Sequence, residues 1–299
     1  GDLAENRGGF NIESLRALVP SLNLRKTNTS LNQSLFLRGV GTINFAIAAQ
    51  PSVAAVVDGV VLSSAGEAFG DLYDVERVEV LRGPQGTLFG RNASAGLLNI
   101  VTKKPSFEFG AYGAATYGNY DYLRLEGGVT GPIVSDTLAA KLEGVYMKRD
   151  GFVKQVTPGE PDVNDRDRYL LRGQLLFEPN ADISFRVIGD YSERSENCCA
   201  GLFLNPIRNL SRANAAGSGA ENVVQSANTL APLLNALGAN YQFAPTGVPF
   251  VRRTATTPGF PYGADSTDYG VSGELKWDLG GAQLTSVSAY RNYHFKTGQ

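Results

Sequence analysis

The sequence predicts a small α+β domain followed by antiparallel strands of a transmembrane β-barrel. Three observations lead there. Up to about residue 105 one helical period is mixed with short strand candidates. From residue 110 onward, segments of about ten residues or more alternate apolar and polar side chains. The links between those segments are short at one end and long at the other, the arrangement of an outer-membrane barrel.

In the first region, NIESLRALVP (11–20) carries Ile12, Leu15, Leu18 and Val19 at helical spacing, with Asn11 as N-cap and Pro20 beyond the end. Strand candidates follow at 34–39, 52–61, 75–83 and 96–104. The expected domain spans 1–105, and 106–299 forms the partial barrel.

In the second region, 137–146 sets Leu138, Ala140, Leu142 and Tyr146 on one face and Lys141 and Glu143 on the other. Residues 167–177 oppose Tyr169, Leu171, Leu175 and Phe177 to Arg168, Arg172 and Gln174. The same rule separates Ile183, Phe185, Val187 and Tyr191 from Ser184, Arg186 and Asp190, and Tyr269, Val271, Leu275 and Trp277 from Asp268, Glu274 and Lys276. With 110–119 and 282–295, whose alternation is weaker, and 122–130, about seven strands are expected. Links 131–136, 178–182 and 279–282 are short, whereas 150–166 and 193–266 are long. Tyr122, Tyr146, Tyr169, Phe177, Tyr191, Tyr269 and Trp277, near strand ends, suit interfacial girdles. Within the long insert, Leu230, Leu233, Leu234 and Leu237 predict a short helix over the barrel mouth.

Composition excludes several classes. A net charge of −2 over 299 residues gives no electrostatic case for nucleic acid. No apolar run approaches the ~18 residues of a spanning helix; AIAAQPSVAAVV is cut by Gln50 and Pro51. Adjacent Cys198 and Cys199 fit neither a zinc site nor a C-x-x-C pair. The single histidine, His294, reads as a rim or surface residue. The chain starts at Gly1 without a signal peptide and ends at RNYHFKTGQ, which suggests a piece of a longer protein.

The stretch VERVEVLRGPQGTLFGRNASAGLLNIVTKKP (75–105) holds Gly83, Gly86, Gly90 and Gly96 between two strand candidates. It lacks the Gly-Lys-Ser/Thr ending of a phosphate loop, and its glycines are not spaced as G-x-G-x-x-G before a helix. Tight turns and close backbone approach explain them better. Together with FLRGVG (36–41) and VVDGVV (56–61), in that order and ahead of barrel strands, this stretch resembles the plug domain of TonB-dependent outer-membrane receptors. The resemblance is close over about residues 10–149 and extends to the later strands in pattern only.

Size agrees with the resemblance. At ~4.8 Å spacing and ~40° tilt, seven strands would close at about 14 Å, too narrow for anything but side chains. A domain of ~105 residues is roughly 33 Å across. A ~22-stranded barrel leaves about 34 Å inside. The expected architecture is therefore a plug followed by about the first third of a 22-stranded barrel.

The resemblance implies active import of a scarce, bulky ligand, by default a ferric siderophore, across the bacterial outer membrane. The inner-membrane TonB–ExbB–ExbD complex would pull on an N-terminal TonB box, expected to precede Gly1, while outer-membrane lipid surrounds the wall. No catalytic residue, cofactor or metal is implied. By family position, segments 25–33, 41–50 and 62–70 point outward, making Arg25, Asn28, Asn44, Phe45, Ser64, Glu67 and Phe69 ligand candidates. Arg25 leads them, since a cation suits anionic ferric chelates. Arg38 and Arg82, each in Leu-Arg-Gly, match the family's plug arginines that pair with barrel glutamates; the alternative is that both face a water-filled lumen. For Cys198–Cys199, in the long external loop, a strained vicinal disulfide is favoured over a metal site, with pairing to a cysteine elsewhere left open. Cobalamin, haem, nickel chelates and oligosaccharides are alternative cargoes. A passive porin-like channel and a soluble β-rich domain are the rival classes.

Overall fold

The computed structural model describes residues 15–26, 33–42, 50–63, 67, 73–90, 92–155, 158–197, 209–213, 220–224, 253–254 and 262–298. The N-terminal domain opens with the single turn α1 (Leu15–Leu18), a short part of the expected helix; residues 11–14 lie outside the described set. β1 (Leu22–Lys26), β2 (Gln33–Leu37) and β3 (Val40–Gly41) form an antiparallel sheet. β1 was not expected from the sequence, because LNLRK offers only Leu22 and Leu24 for burial. A second sheet has the order β5-β4-β7-β6, from β4 (Val53–Val57), β5 (Val60–Val61), β6 (Val75–Arg82) and β7 (Gly96–Thr102). β4 and β7 pair in parallel at its centre, and Val53 to Val56 are all buried, as a strand covered on both faces requires. Leu22, Leu24, Leu35 and Leu37 of the first sheet pack on Val53, Ala55, Leu98 and Ile100 of the second.

Two details correct the sequence reading. The expected strand 52–61 is a hairpin: Asp58 (φ 48°) and Gly59 (φ 80°) both take left-handed backbone, the Asp-Gly signature of a tight two-residue turn. The glycine-rich stretch between β6 and β7 contains one helical turn, α2 (Gly86–Phe89). A Cβ on Gly96 (φ 143°) would stand 2.3 Å from the Leu81 carbonyl oxygen. Here the glycine serves close backbone approach.

The remaining long strands make one seven-stranded antiparallel sheet, in the spatial order β18-β17-β13-β12-β10-β9-β8. Its members are β8 (Gly110–Gly118), β9 (Tyr122–Val134), β10 (Leu138–Arg149), β12 (Arg166–Asn180), β13 (Ile183–Asn197), β17 (Gly263–Asp278) and β18 (Gln283–Thr297). Between β10 and β12 lies the two-residue β11 (Lys154–Gln155); beyond β13 come the hairpin β14 (Asn209–Ala213) with β15 (Ala220–Val224), and β16 (Arg253–Thr254), which pairs with β11. β13 and β17 extend past the predicted strand limits, so the long link begins after Asn197 and ends before Gly263. The predicted helix over 230–237 lies outside the described residues.

The polarity of this wall is inverted relative to a water-soluble sheet. Leu142 is 59% exposed and Leu171 55%, whereas Lys141, Glu143, Arg172, Gln174 and Arg186 are all below 9%. The charged face is covered by the N-terminal domain, and the apolar face points outward. Tyr169, Tyr191 and Tyr269 stack across neighbouring strands with ring centroids 5.9 and 6.5 Å apart. The hydroxyls of Tyr169 and Tyr191 donate to the Glu193 carboxylate, at 2.6 and 3.0 Å. A second aromatic row includes Phe177 opposite Phe185, and Trp277. From Tyr269 to Trp277, eight steps at ~3.4 Å and ~40° tilt give roughly 20 Å, close to the ~25 Å apolar band of a spanning barrel.

Substituting Leu142→Arg places a cation between the two rows on the lipid face. It is expected to lower folding stability by about 2–4 kcal/mol, measured by reversible denaturant titration of the full-length protein in lipid vesicles.

Candidate functional site

The residues that join the domain to the wall form a buried polar seam. Its first cluster begins at the Asp58-Gly59 turn. The turn aims the Asp58 carboxylate at the end of β7, where it accepts from the Thr102 backbone N–H (3.0 Å) and Thr102 Oγ1 (2.9 Å). Arg186 reaches in from β13. Its Nη1 contacts Asp58 Oδ1 at 3.3 Å, and its Nη2 donates to Thr102 Oγ1 at 2.7 Å. Its Nε and Nη2 both donate to Gln174 Oε1 on β12, at 3.0 and 2.7 Å. Such a planar, forked donor can hold several acceptors at once.

A second cluster centres on Lys141 of β10. Its ammonium meets Asp74 of the domain and Glu143 of the wall, and donates to the Lys103 carbonyl oxygen at 3.1 Å. Gln174 Nε2 donates to the same carbonyl at 3.3 Å. Arg172 lies over the Tyr73 ring, 5.0 Å from its centroid, and 3.7 Å from Glu143. Burial pushes the Tyr73 phenol well above its ordinary pKa, so it stays neutral.

A third cluster sits where Glu67 meets β17 and β18. Arg291 binds both oxygens of Asp190 at 3.1 and 2.8 Å, and Asp268 at 2.9 Å. Glu67 is buried beside them and accepts from the Ser63 N–H (3.0 Å) and Oγ (2.7 Å). Burial is the main cause raising its pKa above the ordinary carboxyl value; the Ser63 bonds oppose it. Further out, Arg166 and Arg168 pair with buried Glu196, and Asp165 accepts from the Asn197 N–H at 2.5 Å, tying the start of β12 to the end of β13.

The predicted site residues fall in several places. Arg25 is exposed on β1, with its guanidinium 5.9 Å from the Phe36 ring centroid. Glu67, expected at an outward apex, instead turns its carboxyl into the seam. Arg38 (φ 52°) occupies a left-handed turn position and Arg82 ends β6; both are exposed, and neither forms an ion pair among the described residues. Asn28, Asn44, Phe45, Ser64, Phe69, Cys198 and Cys199 lie outside the described residues. Asp58, Asp74, Thr102, Lys141, Gln174 and Arg186 were missed as interface residues. Their signal was present in the charges on the polar faces of β10, β12 and β13, which need partners once that face is covered. Among the described residues no cluster of three or more His, Cys, Asp or Glu side chains is placed to hold a metal ion.

Residues 2–97 match the TonB-dependent receptor plug domain family. The pesticin receptor of Yersinia pestis is 32% identical over 168 residues, covering 56% of this chain and 24% of that receptor. The ferripyoverdine receptor of Pseudomonas aeruginosa is 28% identical over 184 residues, 61% of this chain and 21% of its own. The chain thus spans about a quarter of these relatives' length. Among solved structures, the ferric yersiniabactin uptake receptor FyuA from Yersinia pestis superposes with a TM-score of 0.69 over 98% of this chain and 42% of that one, at 19% identity. The ferric-catecholate import receptor Fiu from Escherichia coli gives 0.61 over 98% and 37%, at 16% identity. At these identities the structural likeness is one of fold.

Replacing Arg186 by Met leaves Asp58 buried without its cation and is expected to cost about 3–5 kcal/mol. The double variant Arg186→Met, Asp58→Asn should recover most of that loss, since Asn keeps the left-handed turn and removes the orphan charge. Hydrogen exchange over 53–61 and 96–102 in the full-length protein would report both effects.

Proposed function

We propose, from the premise that this chain joins a TonB-dependent receptor plug domain to strands of an outer-membrane barrel, that it serves in energised import of a ferric siderophore. The observation that supports this reading most is the seam. A folded domain rests on the polar face of a sheet whose other face is apolar, which suits a stopper inside a wide lipid-embedded cylinder. The receptors it resembles are named for pesticin, ferripyoverdine and ferric yersiniabactin.

In this reading the cargo binds at the extracellular mouth, where segments 25–33, 41–50 and 62–70 meet the external loops. Arg25 supplies a cation for an anionic chelate, and Asn28, Asn44, Phe45, Ser64 and Phe69 supply polar and aromatic contact. Glu67, with its carboxyl buried, is left out of this set of contacts. Arg38 and Arg82 would meet carboxylates on wall strands other than the seven described. Force from the TonB–ExbB–ExbD complex would then rearrange the plug against its seam. Nothing in this cycle requires chemistry on the ligand, and the protein is proposed to act as a transporter and not an enzyme.

In cells carrying the full-length receptor, uptake of a labelled ferric siderophore should cease when a protonophore collapses the proton gradient; uptake that persists would instead indicate a passive channel. Arg25→Ala should weaken equilibrium binding of an anionic ferric chelate by about ten- to a hundredfold, the value of one charge-assisted hydrogen bond. Unchanged binding would remove Arg25 from the site.

A further inference from the structure

Domain and wall both present polar atoms to one cavity without satisfying them directly. The cavity measures about 70 Å³, and its lining includes Tyr73 from the domain and Arg172, Asp268 and Arg291 from the wall. Among the described residues, the Tyr73 hydroxyl, Arg172 Nε, Arg291 Nε and Asp268 Oδ1 are each buried without a hydrogen-bond partner. Tyr73, Arg172 and Asp268 are 6%, 8% and 9% exposed. The rest of each wall side chain is already held. Arg172 lies against the Tyr73 ring, the Arg291 Nη atoms bind Asp190, and Asp268 Oδ2 accepts from Arg291 Nη2 at 2.9 Å. Turning an unpartnered atom away would break one of these contacts.

The mixture of donors and acceptors decides what fits there. A guanidinium N–H only donates, a carboxylate oxygen only accepts, and a phenol does either. An anion would serve the two guanidinium groups but be repelled by Asp268, and a cation would do the reverse. Water serves all four. At roughly 30 Å³ per molecule the cavity holds about two waters, with several polar partners for each. A second cavity of about 20 Å³ shares Tyr73, Leu170, Ser192 and Arg194 with the first, and has room for about one more. Tyr73 lines both. Burial keeps its phenol neutral, and therefore able to donate as well as accept.

We infer that the seam binds a small water cluster as a structural ligand between domain and wall, and that the Tyr73 hydroxyl is the domain's hydrogen-bonding contact to it. The wall supplies Arg172 Nε, Arg291 Nε and Asp268 Oδ1. A bridging water is nearly as good a partner as a direct one, so the four atoms are satisfied without touching each other. Tyr73 then makes two separate contacts to the wall, its ring to Arg172 and its hydroxyl to the water. The site needs only the junction of domain and wall, and stands whatever the cargo.

The test uses the full-length protein in nanodiscs and pulsed radiolysis, which generates hydroxyl radical from water where that water sits. Mixing into H₂¹⁸O before the pulse times the exchange of any bound water. Tyr73 should be oxidised despite its burial, while Leu98 in the domain core stays unlabelled. Heavy oxygen should reach Tyr73 at least tenfold more slowly than it reaches the exposed Tyr120. Tyr73→Phe keeps the ring against Arg172 and removes the hydroxyl; read at the same ring, water exchange should quicken about three- to tenfold, the value of one net hydrogen bond. The native measurement stands even if that variant fails to assemble. A Tyr73 as unlabelled as Leu98 would show a dry contact, and exchange as fast as at Tyr120 would show an open cleft. Either would overturn the inference, as would exchange unmoved by Tyr73→Phe, or an anomalous peak in this cavity after crystals of the full-length protein are soaked in bromide or rubidium.

Discussion

A sheet that shows hydrocarbon to the outside must find partners for every charge on its inside, and the rest of this structure follows from that requirement. Glu143 sits at the middle of β10 and Arg186 near the start of β13, in a sheet whose opposite face carries Leu142, Leu171 and Val187. Covering such charges with an apolar domain would cost several kcal/mol per ion. The domain instead brings Asp58, Asp74, the Lys103 carbonyl and the Tyr73 ring to the places where Arg186, Lys141 and Arg172 lie. Wall and domain are therefore complementary in charge as well as in shape. A rotation of the domain by one strand would leave those groups facing the wrong neighbours.

Local pattern explains what could be read from the sequence. The seven wall strands and their two faces were legible because period-two alternation persists for ten residues or more in most of them, and short turns separate them on one side. The exposures of Leu142 and Lys141 follow from that alternation alone. Where the period ran out, the reading failed. VVDGVV looks like one continuous strand because Val56, Val57, Val60 and Val61 surround an Asp-Gly that folds it back on itself. LNLRK is too short and too basic to declare itself as a strand.

The site was less legible for a different reason. Alternation says which face a charge occupies but not what stands opposite. The resemblance directed attention to cations on the domain, Arg38 and Arg82, seeking anions on the wall. The contacts among the described residues run the other way, with acids on the domain and bases on the wall. Glu67 is a similar case: its segment was expected to face outward, yet a carboxyl four residues from Ser63 bonds back to that residue and turns inward. Only the three-dimensional partner decides between these orientations.

A charged seam is not the most stabilising way to join two surfaces, because well-packed apolar groups of equal volume are often as good or better. Its advantage lies in selectivity of seating. Arg186 satisfies acceptors on three separate segments at once, Asp58, Thr102 and Gln174, and this geometry exists for one placement of the domain only. Lys141, a point charge on a flexible stem, instead gathers Asp74, Glu143 and the Lys103 carbonyl without demanding a plane. One cation fixes orientation and the other tolerates adjustment, both beside the last residues of β7. An apolar interface of the same area would lack that directional constraint, and sliding would cost it little. The polar seam makes displacement expensive at each pair yet leaves every separated group able to hydrate, so a domain held this way can be both uniquely seated and reversibly moved.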